Sequence, residues 1–317
     1  MTKYILKRCL SAVPTLLIVL TLVFFLMRVL PGNPLYSMVD VQDMTPEQLA
    51  ELAADYGFDA PVWEQYFNYM KGIFTGNWGN SYFNGRGVFE NLASRFEPTI
   101  LITVCSTVIT LVIGIPIGIA SATHRNTLLD YSLSSLSMVF LTIPTFWLGV
   151  MMVYFLAFKL HWFPIQGYQT IARGGLLKAL YCVAMPSIAL GMTHVASVAR
   201  QTRSAMLGVL SEDYIRTARA KGLPPLKVNF KHALKNTLSL ISTLVAGSIA
   251  TMLGGSTVVE KVFNIDGVGK LAYDSLMRRD YAQEQAIILF MGLVFIVMNI
   301  LLDIVYKLLD PRIDFNK

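Results

Sequence analysis

The reading turns on residues 211–237, SEDYIRTARAKGLPPLKVNFKHALKNT. Ser211 can cap a helix, and Glu212 and Asp213 follow in the first turn, where the helix dipole favours negative charge. Arg216, Arg219 and Lys221 lie toward the other end, where positive charge is favoured. Gly222 marks the stop, and Pro224-Pro225 forbids continuation. A second short helix is predicted after the prolines, because Leu226, Phe230, Leu234 and Leu238 recur every four residues as an apolar stripe. Lys227, Lys231 and Lys235 repeat at the same spacing on another face. The pattern predicts a basic helix–turn–helix elbow. A basic amphipathic loop lying on anionic lipid has the same pattern.

Outward from the elbow the charge vanishes. Residues 179–199 before it and 238–259 after it are apolar, as are residues 9–27, 99–122, 133–158 and 286–302. Only 15% of the 317 residues are charged, against about 25% in a soluble chain. Blocks of about 18 or more apolar residues read as membrane spans. One Lys, Arg or Asp at the bilayer centre would cost about 2.5–3.5 kcal/mol on insertion scales. The block cores lack such residues, so the expected fold is all-α and polytopic with six transmembrane helices. Residues 9–27 carry Lys3, Lys7 and Arg8 ahead and Leu30-Pro31-Gly32-Asn33-Pro34 behind, not a small-residue cleavage site, which favours an uncleaved anchor over a signal peptide.

The net charge of +6 does not form a nucleic-acid-binding tail, because the basic residues gather between apolar blocks. Arg200, Arg203, Arg216, Arg219, Lys221, Lys227, Lys231 and Lys235 crowd one loop, against Glu212 and Asp213. The segment 31–98 instead holds nine acidic residues, Asp40 and Asp43 among them, against Lys71, Arg86 and Arg95. Six spans with both termini in the cytoplasm put the basic loop inside and the acidic segment outside, as the positive-inside rule requires. The division is an anchor at 1–30, an extracytoplasmic domain at 31–97, and a transmembrane domain at 98–317 containing the cytoplasmic loop 200–237.

The outer segment is predicted to fold. Thr45-Pro46-Glu47-Gln48 sets a cap, a first-position proline and a capping-box glutamine in register, and Gly57 closes that helix. A second helix is expected over residues 61–74, followed or lined by Trp63, Tyr66, Phe67, Tyr69, Trp78 and Tyr82. Such aromatic density argues against a disordered linker. A cap on the pore mouth and a docking surface for a substrate-delivery protein are both compatible with it.

Tyr214-Ile215-Arg216-Thr217-Ala218-Arg219-Ala220-Lys221-Gly222 resembles the EAA loop of binding-protein-dependent ABC permeases. Arg216-Thr217-Ala218 stands in place of Glu-Ala-Ala, and His232-Ala233-Leu234-Lys235 in place of the closing Ile-x-Leu-Pro; these departures resemble the oligopeptide, dipeptide and nickel branch. Thr142-Ile143-Pro144-Thr145-Phe146-Trp147-Leu148-Gly149, Trp162-Phe163-Pro164 through Gly167-Tyr168, Arg200-Gln201-Thr202-Arg203, and the ending Leu309-Asp310-Pro311-Arg312 are similar to the B-type permease subunit in the same order. The resemblance implies a type I importer bundle in a prokaryotic inner membrane. It implies a second related permease, two ATPase subunits and an extracytoplasmic substrate-binding protein as partners, in contact with membrane lipid. Glu212, Asp213, Tyr214, Arg216, Ala218, Arg219, Ala220, Lys221 and Gly222 would then form the coupling segment that docks on an ATPase.

The chain lacks an ATPase motif of its own. Gly267-Val268-Gly269-Lys270 has Asn264 where the upstream Walker glycine belongs and Leu271 where Ser or Thr follows the lysine. ATP and magnesium are therefore expected on partner subunits, with no cofactor here. His124, His161, His194 and His232 have no metalloprotease spacing, and Cys9, Cys105 and Cys182 have no metal or disulfide pattern. His194 reads as a helix–helix hydrogen bonder or a proton relay. A peptide needs a polar path, for which Ser248, Thr251, Gly254, Gly255 and Ser256 are candidates, with Pro144, Phe146 and Trp147 as a kink and aromatic wall. Close helix packing explains the small residues equally well. A nickel importer and a stand-alone secondary transporter are the rivals; clustered His, Cys or carboxylates would mark the first, internal repeats and midplane charges the second.

Overall fold

A computed structural model describes residues 2–29, 35 and 45–309. The segment Leu30-Pro31-Gly32-Asn33-Pro34, the acids Asp40 and Asp43, and the ending Asp310-Pro311-Arg312 lie outside the described residues. The helices are α1 (Thr2–Val29), α2 (Pro46–Asp55), α3 (Val62–Thr75), α4 (Val88–Thr123), α5 (Leu128–Thr142), α6 (Thr145–Met152), α7 (Ile171–Leu210), α8 (Asp213–Ala220), α9 (Lys235–Val262), α10 (Val268–Met277) and α11 (Tyr281–Leu309). Among the described residues five helices are long and apolar enough to cross a membrane, and α5 with the helical stretch Thr145–Lys159 adds a sixth crossing if that bent pair is one span. The fold is all-α, as expected. Its β-structure among the described residues is one isolated bridge between Asn80 and Gly87.

The third apolar block, expected over 133–158 with a kink at Pro144, is bent far more sharply than a kinked span. It breaks into α5 and a helix running from Thr145 to Lys159, bent by 94°. Proline is the cause. Pro144 has no N–H to continue the ladder, and its ring pushes Ile143 into extended backbone at φ −71°, ψ 122°. Beyond Met152 the helix widens into a π-helical stretch, Val153–Lys159.

The fourth block grows the most. Residues 179–199 are the apolar part of α7, which runs 40 residues from Ile171 to Leu210 with a kink at Gly175. Forty residues span about 60 Å, twice the roughly 30 Å of a hydrocarbon core. Helical hydrogen bonding therefore continues through Arg200 and Arg203, where the sequence suggests a loop.

Two compact units are present, Glu97–Gly269 with the end of α11 from Val297, and Thr2–Phe96 with Lys270–Ile296. In the first, α7 is central. Ser106 donates to the Ser187 carbonyl at 3.0 Å and Thr110 to the Gly191 carbonyl at 3.3 Å, joining α4 to α7. Gly114 and Gly118, one turn apart on α4, meet Val195, Val198, Ala199 and Thr202 of α7. A Cβ at Gly118 would sit 2.6 Å from the Ala199 carbonyl oxygen, so only glycine allows this approach. Ile102, Val183, Met185, Ala189, Met252 and Phe263 fill the core between α4, α7 and α9.

Polar ties hold the ends of this unit. Glu97 accepts hydrogen bonds from the Tyr168 hydroxyl and, at 2.7 Å, from the Ile171 N–H that opens α7. Burial, then the Glu97 bond, pushes the Tyr168 phenol well above its usual range. Thr99 donates to the buried Glu260 carboxylate at 2.7 Å and accepts from the Val268 N–H at 2.9 Å.

In the second unit, the outer segment folds as the aromatic density predicts. Thr45 and Gln48 form the reciprocal capping box at 2.9 and 3.3 Å, with Pro46 opening α2. Gly57 closes the helix at φ 69°, with the Phe58 N–H on the Ala53 carbonyl and the Gly57 N–H on that of Ala54. α3 packs on α1 through Tyr66 and Tyr69 against Phe24. Asp280 accepts from Ser81 and from the Tyr82 N–H, which ties the loop before α4 to the start of α11.

Candidate functional site

The elbow forms, with a different start from the one expected. Ser211 is the C-cap of α7, its hydroxyl donating to the Gly208 carbonyl at 2.6 Å. Glu212 is the N-cap of α8 and makes no side-chain cap bond. α7 runs on to Leu210, so Ser211 is already used when α8 begins. The stop is as predicted. Gly222 has φ 73°, its N–H meets the Arg219 carbonyl at 2.9 Å, and the Leu223 N–H reaches the Ala218 carbonyl at 3.4 Å. This is a Schellman closure, and Leu223 packs in the same apolar cluster as Ala218.

α8 has two faces. Ile215 is fully buried and Ala218 nearly so, packed with Ile119, Ala122, Met206 and Val228. Burying Ile215 contributes roughly 1.5–3 kcal/mol. Tyr214, Arg216, Arg219, Ala220, Lys221 and Gly222 are exposed. Ala218, placed by the resemblance in the docking segment, faces the chain's own core, and Ala220 is the small residue on the outer face. Asp213 pairs with Arg216 at 3.4 Å, and Asn236 donates to the Tyr214 hydroxyl at 2.7 Å, fixing α8 to the start of α9.

The predicted stripe of Leu226, Phe230, Leu234 and Leu238 does not form one buried face. Leu226 is 72% exposed and Phe230 50%, whereas Val228 and Ala233 are buried. A single turn at Pro225–Lys227 passes into a π-helical stretch, Val228–Leu234. Its wider turn shifts the register, so side chains four apart no longer stack.

One ion pair joins α5 to α7 ahead of the elbow, and periodicity gave no sign of it. Arg203 donates through Nε and Nη2 to both carboxylate oxygens of Asp130, each at 2.7 Å. Asp130 is 2% exposed and also accepts from Ser121 and the Asn126 N–H. The two residues are 73 apart in the chain, and Asp130 sits just ahead of the apolar block at 133–158.

The candidate path residues divide. Ser248 and Thr251 line an open cleft of about 450 Å³ with Thr193, His194, Ser197 and Arg200 of α7. Gly254 is exposed. Gly255 and Ser256 turn inward instead: Ser256 is fully buried and bonded to the Leu253 carbonyl at 2.8 Å, and a Cβ at Gly255 would meet Leu190 at 3.3 Å. Those two pack α9 on α7. Pro144, Phe146 and Trp147 are exposed at the α5–α6 bend and do not line the cleft. Among the described residues no three His, Cys, Asp or Glu side chains converge as a metal site.

An all-α bundle of membrane-crossing helices, with an elbow closed by Gly222 and a cleft that carries hydroxyl groups, His194 and Arg200, fits a membrane transport protein. Residues 114–315 match the family described as the inner membrane component of binding-protein-dependent transport systems, and residues 1–103 match its N-terminal region. The chain belongs to this family and is a permease subunit of an ABC importer, the non-catalytic membrane component. It is 36% identical to the oligopeptide transport system permease AppB of Bacillus subtilis, over 99% of this chain and all of that one. It is 34% identical to a probable peptide ABC transporter permease of Sinorhizobium fredii, over 98% and 99%. It is 36% identical to the glutathione transport system permease GsiC of Salmonella typhi, over the full length of both. Among solved structures, the inward-facing MetNI methionine ABC transporter shares the fold, with TM-score 0.59 and 19% identity over 70% of this chain and 97% of that one.

Proposed function

We propose that this chain forms half of the path by which short peptides enter a prokaryotic cell. It pairs with a second related permease, two ATPase subunits and an extracytoplasmic binding protein. ATP and magnesium are held by the ATPase subunits, and residues 213–222 are the coupling segment that docks on one of them. Both termini then lie in the cytoplasm. Residues 1–30 serve as anchor, 31–97 as the extracytoplasmic domain, and 98–317 as the permease domain with the cytoplasmic loop 200–237.

The observation that carries the proposal is the two-faced α8. A helix closed at its end by Gly222 and held by Ile215 and Ala218 can pass on a rigid-body movement that a flexible loop would absorb. Its outward Arg216, Arg219 and Lys221 supply charge for an acidic groove on a partner. Peptide cargo is supported by the relatives named for peptide, oligopeptide and glutathione transport. The hydroxyls of the cleft and the Arg200 guanidinium suit the polar backbone and carboxylate of a peptide.

The test is reconstitution with the partner subunits. ATP-dependent uptake of a dipeptide is expected, with ATPase subunits co-purifying with this chain. Peptide accumulation by the chain alone, driven by a proton gradient, would overturn the proposal and make it a secondary transporter.

A further inference from the structure

The unit formed by Thr2–Phe96 and Lys270–Ile296 contains a cavity of about 250 Å³ that neither the elbow nor the cleft uses. Three donors belong to its wall. Arg28 commits three of its five N–H groups: Nε and Nη2 donate to Gln65 Oε1 at 3.1 and 2.8 Å, and Nη1 to the Phe24 carbonyl at 3.1 Å. It makes no ion pair among the described residues, and no carboxylate lines the cavity. Its guanidinium lies 3.4 Å from the Phe24 ring centroid.

The other two donors lack partners. Gln285 is 5% exposed, and its side-chain Nε2 is buried without a hydrogen bond. The Tyr69 hydroxyl is likewise buried and unbonded. Buried polar groups in a folded protein almost always have a partner, so two orphaned donors on residues that line the same cavity as an unpaired cation point to an acceptor that reaches them when the site fills and their side chains turn toward it. Tyr56, Phe58 and Trp78 supply aromatic wall beside them. The volume lies just under the roughly 300–1,000 Å³ of sites that enclose a whole small molecule. It suits one end of a longer ligand.

We propose that this cavity seats the C-terminal residue of a short peptide, with the carboxylate on Arg28, Gln285 and Tyr69 and the side chain among the aromatic rings. Arginine meets a planar carboxylate with two parallel N–H bonds, and amide and phenol donors complete its oxygens. This deepens the peptide-importer reading and rests on it. A lipid headgroup phosphate offers the same anionic oxygens, and the test separates the two.

The full chain is placed in phosphatidylcholine nanodiscs and titrated by calorimetry with Ala-Phe and with its C-terminal amide. Ala-Phe is expected to bind at least tenfold more tightly than the amide. Tyr69→Phe and Gln285→Leu should each weaken Ala-Phe about tenfold without lowering the unfolding temperature, since the groups removed are unbonded in the empty protein. Equal binding of acid and amide, or wild-type affinity in both variants, overturns the proposal. So does phosphatidylglycerol in the disc that occupies the site and is not displaced by Ala-Phe. ATP-driven Ala-Phe uptake by the assembled importer that persists unchanged in both variants removes this inference and leaves the importer reading standing. No Ala-Phe uptake by the wild-type assembly removes the peptide reading itself.

Discussion

At the scale of single residues, the elbow separates a buried face from an exposed one. Ile215 fills the chain's own core, so Ile215→Ala should cost about 2–5 kcal/mol and speed amide exchange across residues 213–223. Ala220 is exposed one turn later. Ala220→Trp should leave membrane insertion and unfolding temperature unchanged and abolish ATPase co-purification. Retained co-purification with normal transport would show that this face does not dock. Tryptophan at Gly222 is a poorer probe, because a side chain at φ 73° carries roughly 1–2 kcal/mol of backbone strain of its own.

Asp130 and Arg203 are a second residue-scale case. Removing one member of a fully buried pair strands the other, at about 3–5 kcal/mol; with Arg203 29% exposed the cost here is smaller, and replacing both by apolar residues of similar size is often neutral. Asp130→Leu should lower the unfolding temperature sharply, and Asp130→Leu with Arg203→Leu should recover most of the loss. Additive losses in that double-mutant cycle would mean the two side chains are not coupled.

At the scale of elements, local signals were readable and contextual ones were not. Thr45, Gln48 and Gly57 act within one turn of α2, so the sequence specifies both ends of that helix directly. Gly222 with Pro224 and Pro225 fixes the stop of α8 for the same reason. Ser211 failed as an N-cap because its role depends on where α7 ends, and α7 runs on to Leu210. The Leu226 and Phe230 stripe failed because a π-helical turn cannot be told from an α-helical one by periodicity.

The small residues of α9 were ambiguous for a related reason. Ser248 and Thr251 face the cleft while Gly255 and Ser256 pack on α7, and composition is the same on both sides. The α4–α7 contact gives a sharper contrast. Gly118→Val should cost about 1–3 kcal/mol through overpacking against Ala199 and Thr202. Gly247→Ala has nothing within 4 Å of the added methyl and should leave stability unchanged or slightly raised. Thermal unfolding of the two variants in detergent compares them directly; equal effects would contradict the packing described for α4.

At the scale of the whole molecule, the apolar blocks announced the membrane-crossing helices, since charge is excluded from hydrocarbon regardless of detail. The 94° bend between α5 and α6 was foreshadowed only as a proline kink at Pro144. Sidedness remains a consequence of loop charge, and it is measurable. A single cysteine at Lys227 should react with a membrane-impermeant maleimide only in inside-out vesicles, and one at Asp55 only in right-side-out vesicles. The reverse labelling would invert the topology and remove the elbow from the ATPase side.

The unbroken stretch of α7 from His194 to Leu210 has a mechanical consequence. Seventeen residues of α-helix make a rod about 24 Å long, with one end in the wall of the cleft and the other beside α8. Tipping such a rod by ~10° about its lower end carries the upper end sideways by ~4 Å, close to the breadth of a peptide backbone. A lever of that length turns a modest nudge at its foot into a change of aperture at its head.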